Sequence, residues 1–189
     1  MAGSGEGKGG KAATAAAWQL RQAQVDDAST LHALAAKPAV FRYLFDGKAP
    51  ELEQVADWLQ ESLVYQDRSG LGLWLLERPG GRCAGAVRLH PLPPPTTAEL
   101  TYLLEPEAWG RGLATRMSWT VIREAFQRGG IDRVIAGADL PNAASLAVMR
   151  RLGMSFLRET RYPLGAGVEY LLSRRDPVPK PPIEPLPLV

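Results

Sequence analysis

The amino-acid sequence predicts a mixed α/β (α+β) domain, in which helices flank a sheet with antiparallel parts. Three observations indicate this fold class. Segments with strand-like and helix-like periodicity alternate in the order βααα-βββ-α-β-α-ββ across residues 18–175. A Pro-Gly-Gly turn at Arg78–Arg82 separates two apolar segments and is typical of a hairpin. A glycine-containing turn at Trp109–Gly112 connects an apolar strand to an amphipathic helix.

The N-terminal half of the domain is predicted to begin with a strand and three helices. The strand comprises Trp18–Gln24, and the two aspartates that follow it are good helix caps. Pro38 ends the first helix, because proline cannot continue a helix interior. The predicted helices are one from Asp26 and Asp27 to about Ala36, a short one around Val40, Tyr43 and Leu44, and one at Glu51–Tyr65.

The rest of the domain is predicted to contain six strands and two helices. The helix predicted to begin at Leu113 carries apolar residues at an i, i+4 spacing, which we interpret as its core face. Gly129 and Gly130 are expected to end it. The strands are predicted at Leu71–Glu77, Cys83–His90, Ala98–Leu104, Arg133–Ala138, Ser155–Thr160 and Gly167–Leu172, with a proline-rich loop at Pro91–Pro95. The helices are predicted at Leu113–Arg128, with Leu113, Met117, Val121 and Ala125 on the core face, and at Asn142–Leu152, closed by Gly153.

Length and composition indicate one ordinary globular domain. The 189 residues are 46% hydrophobic and 22% charged, with a net charge of +2. The absence of a long Lys/Arg run argues against general nucleic-acid binding. The single cysteine, Cys83, excludes an internal disulfide. No segment has the length of a membrane span or the apolar core of a secretory signal, so we expect a soluble, cytoplasmic protein.

Both ends of the chain are expected to lie outside the folded domain at 18–175. Residues 1–17 contain no aromatic or large aliphatic residue after Met1, so we expect a disordered N-terminal tail. Residues 176–189 contain six prolines and are expected to be extended. This second tail is either loose in solvent or docked on the domain or a partner through its apolar residues, which are Ile183, Leu186, Leu188 and Val189.

The turn between the strand at Ala98–Leu104 and the following helix predicts a phosphate site. The sequence Gly110-Arg111-Gly112-Leu113-Ala114 places consecutive backbone N–H groups at the positive end of a helix, where a phosphate or pyrophosphate binds. Glycine is needed because a Cβ would hold the ligand away or forbid a positive φ. The alternative is that these glycines only make a tight strand–helix turn.

Two sequence motifs, the first of which contains this turn, together indicate a protein family. The first is Glu-Leu-Thr-Tyr-Leu-Leu-Glu-Pro-Glu-Ala-Trp-Gly-Arg-Gly-Leu-Ala-Thr at 99–115, and the second is Asn142-x-x-Ser145 followed by Met149, Leu152 and Gly153-Met154. Together they resemble the GCN5-related N-acetyltransferase (GNAT) family, and more narrowly its RimJ/RimL-like subgroup of ribosomal-protein-alanine acetyltransferases. The resemblance covers nearly all of residues 18–172. It implies the GNAT fold, a mixed, mostly antiparallel sheet whose central strands splay apart.

The resemblance implies acetyl-CoA as the cofactor. The backbone amides of Arg111, Gly112, Leu113, Ala114 and Thr115 would hold the pyrophosphate. The pantetheine arm would run between the strands at Ala98–Leu104 and Arg133–Ala138. The family often has Gln or Arg where this chain has Trp109, so no phosphate contact is expected from that side chain. Arg150 and Arg151 either reach the CoA phosphates or are solvated near the end of their helix.

The attacking amine must lose a proton, so a base is expected near the acetyl group. An α-amine, with an ordinary pKa near 8, needs only about 1 kcal/mol to become neutral at pH 7, against roughly 4–5 for lysine. A carboxylate is therefore a sufficient base for an α-amine. Glu99 on the strand is the preferred candidate, and its alternative role is a solvated strand residue. The other candidates are Glu105, Glu107 and His90.

The remaining catalytic assignments also follow from the resemblance. A backbone N–H near Leu103 or Leu104, on the family's bulged strand, would polarise the thioester carbonyl. Many family members place a Tyr at the position of Met149, which cannot donate a proton. Ser145 is then the expected donor to the leaving thiolate, and Asn142 is expected to bind the cofactor arm. Both residues could instead act as helix caps.

The acceptor is predicted only as a primary amine, on a protein N-terminus or a small molecule. Candidates for its pocket are Phe41, Tyr43, Phe45, Asp46, Tyr162 and Glu169. Cys83 lies in the strand segment Cys-Ala-Gly-Ala-Val and is interpreted as a buried small residue, so we expect direct transfer rather than an acyl-cysteine intermediate. No metal site is expected, and the chain is expected to be a monomer or homodimer.

Two other functions remain open at this point. A non-catalytic acyl-CoA- or peptide-binding module could use the same fold, because fold does not establish activity. A dinucleotide-dependent oxidoreductase, with Asp139 as a ribose ligand, would need the glycine motif near the first strand of a larger parallel sheet.

Overall fold

The computed structural model describes residues 17–69, 71–128, 130–180 and 182–189, without the side chains of 67–69. The predicted disordered tail at 1–17 lies outside these residues except for Ala17, and so does Gly129, one of the glycines expected to end a helix. The described strands are β1 (Gln19–Gln22), β2 (Gly72–Glu77), β3 (Cys83–Leu92), β4 (Thr97–Leu104), β5 (Arg133–Asp139), β6 (Ser155–Tyr162) and β7 (Gly165–Ser173). The α-helices are α1 (Ala28–Ala35), α2 (Pro38–Phe41), α3 (Leu52–Ser69), α4 (Leu113–Arg128) and α5 (Ala143–Arg151).

The described strands form one sheet in the order β1-β2-β3-β4-β5-β7-β6. All neighbouring strands are antiparallel except β4 and β5, which are parallel. The parallel pairing covers only Thr97 with Arg133 through Glu99 with Ile135, and the strands then separate. This arrangement confirms the predicted fold class, including the splayed central strands.

Helices cover both faces of the sheet. One core lies between the sheet and helices α4 and α5, and the other lies between the opposite face and helices α1 and α3. The predicted core stripe of α4 is buried: Leu113, Met117, Val121 and Ala125 are at most 2% exposed. Because side chains alternate along β4, Leu100 and Leu104 face the first core while Leu103 faces the second.

Four local predictions differ from the structure. Helix α1 begins at Ala28, because a 3-10 turn at Val25–Asp27 precedes it and the Asp27 carboxylate accepts from the Gln24 N–H instead of capping α1. Helix α2 begins at Pro38, which suits a first helical position, and ends at Phe41, so the predicted Tyr43 and Leu44 lie beyond its end. Helix α3 continues past Tyr65 to Ser69. Strand β3 extends through Pro91 into the predicted loop, and proline is tolerated there because β2 pairs no further than Leu89.

The bulge expected near Leu103 and Leu104 is absent from β4. Every residue from Thr97 to Leu104 pairs with β3 in one continuous register. The gap beside β4 therefore arises from the divergence of β5, while β4 itself stays regular.

The proline-rich C-terminal segment lies along the surface of the domain. The Leu186 N–H donates to Thr120 Oγ1 at 2.8 Å, and the Leu186 side chain is 3% exposed within the first core. Farther on, the Leu20 N–H donates to the Pro187 carbonyl at 2.8 Å and the Val189 N–H donates to the Leu20 carbonyl at 3.0 Å. The segment thus pairs with the outer edge of β1. No helix among the described residues has the length and apolarity needed to cross a bilayer.

The docked segment is expected to contribute to stability through Leu186. Leu186→Ala should lower the free energy of unfolding by about 2–4 kcal/mol, because it removes a buried side chain and leaves a cavity. Leu188→Ala is the matched control, since Leu188 is 38% exposed, and should cost less than about 1 kcal/mol. Urea denaturation of both variants measures the difference. Equal losses would show that the segment does not pack as described.

Candidate active site

A cleft opens where β4 and β5 separate. It has a volume of about 1130 Å³. Its walls come from β4, β5, the turn before α4, the first turns of α4 and α5, and the chain around α2. Tyr162 at the end of β6 and the C-terminal residues Ile183 and Glu184 complete them. The sequence predicts the cofactor arm to run through this gap.

The turn before α4 presents unpaired backbone donors. Gly110 and Gly112 have φ values of +72° and +71°, in the region that glycine adopts without a Cβ penalty. The Arg116 N–H donates to the Gly112 carbonyl at 3.0 Å, so the N–H groups of residues 113–115 have no acceptor among the described residues. A Cβ at either glycine would meet no atom within 4 Å, so the turn faces open space. This geometry suits an anion.

Polar side chains surround this turn. Thr115 Oγ1 is buried and has no hydrogen-bond partner among the described residues. Arg116 lines the cleft, where its Nε donates to the Glu184 carbonyl at 3.0 Å and its guanidinium lies 3.4 Å from the Glu184 carboxylate. Arg151 also lines the cleft, whereas Arg111 and Arg150 are exposed outside its lining. The sequence did not indicate that Arg116 and Arg151 line the cleft while Arg111 and Arg150 do not.

Trp109 occupies the position for which the family often has Gln or Arg. Its indole Nε1 donates to the Leu104 carbonyl at 2.9 Å. The donor is thereby used within the turn, and the half-exposed ring remains as a wall of the cleft.

The first turn of α5 carries the second motif. Asn142 caps the helix, because its Oδ1 accepts from the Ser145 N–H at 3.2 Å. The amide Nδ2 of Asn142 is the donor that this cap leaves available, and both residues line the cleft. The half-buried Ser145 accepts a 3.3 Å hydrogen bond at its carbonyl from the Tyr102 hydroxyl. Burial raises the pKa of Tyr102 to about 12, although the side chain of Ser145 opposes the effect. Tyr102 therefore stays neutral at pH 7.

The backbone of β4 distinguishes Leu104 from Leu103. The Glu105 N–H donates to the Ala84 carbonyl on β3 at 2.9 Å. Because backbone groups alternate along a strand, the N–H of Leu104 points the other way, toward the cleft, and that of Leu103 points toward β3. The bond from Trp109 to the Leu104 carbonyl agrees with this orientation. Leu104 is therefore the better oriented of the two predicted donors.

Of the four candidate bases, all within the described residues, only Glu99 lines the cleft. Glu99 is exposed at the point where β4 and β5 separate. His90 lies directly across from it on β3, where its Nδ1 is 2.9 Å from the Arg88 guanidinium. Burial and the charge of Arg88 lower the pKa of His90, although Glu61 and Glu99 oppose them. His90 is consequently neutral and belongs to a network outside the cleft.

The other two carboxylates bind cations of the scaffold. Glu105 is 3% exposed and accepts hydrogen bonds from Lys37 Nζ at 2.9 Å and from Arg78. Burial alone would raise the pKa of the Glu105 carboxyl, but these bonds lower it below its ordinary value. Glu107 is exposed, with its carboxylate 3.9 Å from Lys37 Nζ. Glu105 is thus a structural anion at the end of β4.

The predicted acceptor residues separate into two groups. Tyr43 and Tyr162 line the cleft, whereas Phe41, Asp46 and Glu169 do not, and Phe45 packs on Trp58 with ring centroids 6.2 Å apart. Glu169 instead accepts a 2.8 Å bond from Arg158. Sequence reasoning missed Tyr102 and Arg116, and considered Asp139 only as a ribose ligand, although all three line the cleft. No local signal identifies them, because their partners or neighbours are distant in sequence.

Two further side chains are excluded from the cleft. Met149 is fully buried in the first core. Cys83 lies on β3 away from the cleft, and burial raises its pKa to about 11 although a hydrogen bond with the Gly85 backbone opposes this. Its thiol is therefore protonated at neutral pH. The described residues also contain no cluster of three His, Cys, Asp or Glu that could hold a metal ion.

Comparison with known proteins gives a consistent result. The model of an acetyltransferase (GNAT) domain matches residues 18–155. A curated relative, the uncharacterized N-acetyltransferase YoaA of Bacillus subtilis, is 26% identical over 151 residues, which are 77% of this chain and 85% of YoaA.

Two solved structures illustrate the likeness in fold. The ribosomal-protein alpha-N-acetyltransferase RimL in complex with coenzyme A superposes with a TM-score of 0.71 at 20% identity, over 82% of this chain and 93% of RimL. Spermidine N-acetyltransferase from Vibrio cholerae, in complex with CoA and spermine, gives a TM-score of 0.69 at 13% identity, over 83% and 95% of the two chains.

The ion pairs of Glu105 predict a pH-dependent contribution to stability. Glu105→Gln should lower the free energy of unfolding at pH 7 by about 1–3 kcal/mol, because it weakens two charge-assisted hydrogen bonds. The folded-state pKa is lowered, so this contribution is present above the unfolded value near 4.3 and declines as the pH falls through the folded value. Urea denaturation between neutral and acidic pH should show the difference between wild type and variant shrinking.

Glu107→Gln is the control for this prediction. Glu107 is exposed and its carboxylate lies 3.9 Å from the same lysine, so its replacement should cost less than about 0.5 kcal/mol at any pH. A pH-independent loss in Glu105→Gln, or an equal loss in Glu107→Gln, would contradict the role assigned to Glu105.

Proposed function

This chain belongs to the acetyltransferase (GNAT) family of acetyl-CoA-dependent enzymes, and we propose that its cleft transfers the acetyl group directly to a primary amine. The GNAT resemblance seen in the two motifs is confirmed. The RimJ/RimL-like subgroup stays a prediction, since the RimL structure is only 20% identical. The observation that carries the proposal is the gap between β4 and β5, which ends at a helix N-terminus with free N–H groups.

The anion site at α4 is proposed to hold the cofactor pyrophosphate. The N–H groups from Gly112 to Thr115, with that of Arg111, point from a helix start that the two glycines leave open. The buried, unpartnered Thr115 Oγ1 is a further donor at this site. Arg116 and Arg151 supply positive charge on the same side of the cleft. Acetyl-CoA supplies an activated acetyl group as a thioester.

The backbone of β4 is proposed to orient the acetyl group. The Leu104 N–H faces the cleft and can polarise a carbonyl oxygen, whereas the pairing of Leu103 with β3 disfavours it for this role. On the opposite wall, the Asn142 Nδ2 can donate to the amides of the cofactor arm. These donors are held by a strand and a helix cap, so they need little reorganisation when the cofactor binds.

Glu99 is proposed to accept the proton of the attacking ammonium, directly or through water. It lies at the end of the gap and faces the side of the sheet opposite α4 and α5, from which the acceptor would approach. Ser145 is proposed to donate a hydrogen bond to the departing thiolate and to relay to it the second proton that the nitrogen loses as the amide forms, since Met149 is buried and has no proton to donate. The protonated Cys83 lies outside the cleft, which favours direct transfer.

The proposed acceptor is a primary amine, either a protein N-terminal α-amine or a small-molecule amine. The named relatives of this fold include enzymes for a ribosomal protein and for spermidine. A non-catalytic acyl-CoA- or peptide-binding module is the second candidate, favoured by the buried Met149. Saturation with acetyl-CoA followed by assay of CoA release against peptides, polyamines and aminoglycosides separates the two, because a binding module would release none.

The glycine turn predicts a selective loss of cofactor binding. Gly112→Ala should raise the acetyl-CoA Kd at least about tenfold, because it strains the turn and adds a Cβ beside the N–H groups that bind phosphate. Gly80→Ala is a matched control in the β2–β3 hairpin, with φ of +98° and equally open surroundings. Both variants should lose similar stability. Isothermal titration should show weaker binding only in Gly112→Ala, and equal Kd values would contradict the pyrophosphate assignment.

The proposed proton transfers predict a loss of turnover without loss of cofactor binding. Glu99→Gln should lower kcat about 100-fold or more, which is typical of removing a general base. Ser145→Ala should also lower kcat if it donates the final proton. Both should leave the acetyl-CoA Kd unchanged, and Glu53→Gln, at an exposed site in α3, controls for the lost charge. CoA release with the best acceptor provides the measurement, and an unchanged kcat in either active-site variant removes that residue from the mechanism.

A further inference from the structure

Asp139, the last residue of β5, holds an unsatisfied carboxylate oxygen in the cleft wall. The residue is 7% exposed, and its Oδ1 is buried without a hydrogen-bond partner among the described residues. A buried carboxylate oxygen without a donor is costly. Its natural complement is a cationic group of a ligand. The backbone carbonyl of Asp139 accepts from the Asn142 N–H at 2.9 Å, which fixes the position of the residue.

Tyr162 is held next to this carboxylate by two glycines. A Cβ at Gly137 would overlap the Tyr162 hydroxyl, and a Cβ at Gly167 would overlap its ring. The ring therefore lies flat on β5 and β7, and its hydroxyl is directed over Gly137 in the cleft wall. Burial, together with the charges of Glu169, Glu99 and Asp139, raises the pKa of Tyr162 to about 12. The nearby charge of Arg158 opposes this shift, and the hydroxyl is neutral at pH 7.

These groups share the acceptor side of the sheet. Val134, Ala136 and Ala138 face the core below α4 and α5, so the alternate residues Gly137 and Asp139 face the opposite side. Glu99 faces that side as well, since its neighbours Ala98 and Leu100 face the α4–α5 core. Asp139 lies four residues beyond Ile135, the partner of Glu99, so the two carboxylates are about 13 Å apart along the sheet.

The charged side chains on the acceptor side of the sheet favour an acceptor with two cationic groups. Within the part of the chain that the structure describes, Glu99 and Asp139 have no ion-pair partner, whereas Glu169 is paired with Arg158 at 2.8 Å. Arg42 also lines the cleft, but it is exposed and stacks 5.4 Å from the ring centroid of Tyr43. One ammonium at Glu99 would leave Asp139 uncompensated.

We propose that the acceptor carries a second cationic group besides the amine that is acetylated, and that Asp139 and the Tyr162 hydroxyl bind this group. Glu99 remains the base for the reacting amine. Asp139, four residues beyond the β5 partner of Glu99, determines specificity by binding the second cationic group. The inference rests on the proposed acetyl transfer. It deepens that function by naming the acceptor class as diamines and other dicationic amines rather than singly charged amines or peptide N-termini.

The test compares linear α,ω-diamines with the linear monoamine of the same carbon number, at saturating acetyl-CoA, by release of CoA. In the wild type, the best diamine should exceed its monoamine in kcat/KM by roughly 10- to 100-fold, as expected for one charge-assisted contact. Asp139→Asn should remove this preference by raising the KM for the diamine, with a much smaller effect on the monoamine. Tyr162→Phe should reduce it in part. Asp57→Asn, at an exposed site on α3, is the charge-matched control and should retain it.

A binding measurement keeps the test independent of turnover. An N-permethylated diamine cannot be acetylated but should bind the CoA-saturated wild type in isothermal titration, and its binding should be weakened at least about tenfold in Asp139→Asn. Equal use of monoamines and diamines by the wild type, or a preference that survives in Asp139→Asn, would overturn the inference. A fall in kcat for both amine classes in Asp139→Asn would assign Asp139 to proton transfer and overturn it too.

Failure of this inference is distinguishable from failure of the proposed function. If peptides and monoamines are acetylated as well as diamines, acetyl transfer stands and the dicationic acceptor is wrong. If acetyl-CoA binds but no amine releases CoA, both are wrong.

Discussion

The separation of β4 from β5 is the constraint on which the rest of the structure depends. Each strand is fully paired on its outer side, β4 with β3 and β5 with β7, so the gap is not a frayed edge. Beyond Glu99 and Ile135 the inward-facing N–H and C=O groups have no strand to pair with. Such groups are costly to leave unsatisfied in a protein interior. They are the groups that we propose to bind an extended ligand with amides of its own.

The walls of this gap are fixed by contacts that have no direct part in the chemistry. The buried Glu105 anchors the end of β4 to Lys37 and to Arg78 of the β2–β3 hairpin. The Tyr102 hydroxyl connects β4 to the first turn of α5 through the Ser145 carbonyl. A regular β4 and a capped α5 therefore keep their spacing, which is what a site needs if its donors are to be in place before the ligand binds.

Local features of the sequence determined which parts of this structure could be predicted. Helix α4 was predicted with the correct ends, because a glycine turn, an apolar stripe and a terminal Gly pair all agree. The glycine turn before α4 and the Asn142 cap were also predicted from contiguous residues. Tyr102 is 43 residues from Ser145, and Arg116 is 68 from Glu184, so these contacts exist only once the sheet is assembled. The docking of the C-terminal segment on β1 also depends on contacts between residues that are distant in sequence, so the hydrophobic periodicity of the chain did not predict it.

The alternation of side chains along the two separated strands also divides the charges of the site. Arg116, Arg151 and the positive end of α4 lie on the side of the sheet that suits an anionic cofactor, while Glu99 and Asp139 face the side that suits a cationic amine. Elsewhere the paired strands keep these two faces apart. A donor and an acceptor of opposite charge can therefore approach from opposite faces without competing for the same groups. They can meet only in the gap, because it is there that the sheet between them is open.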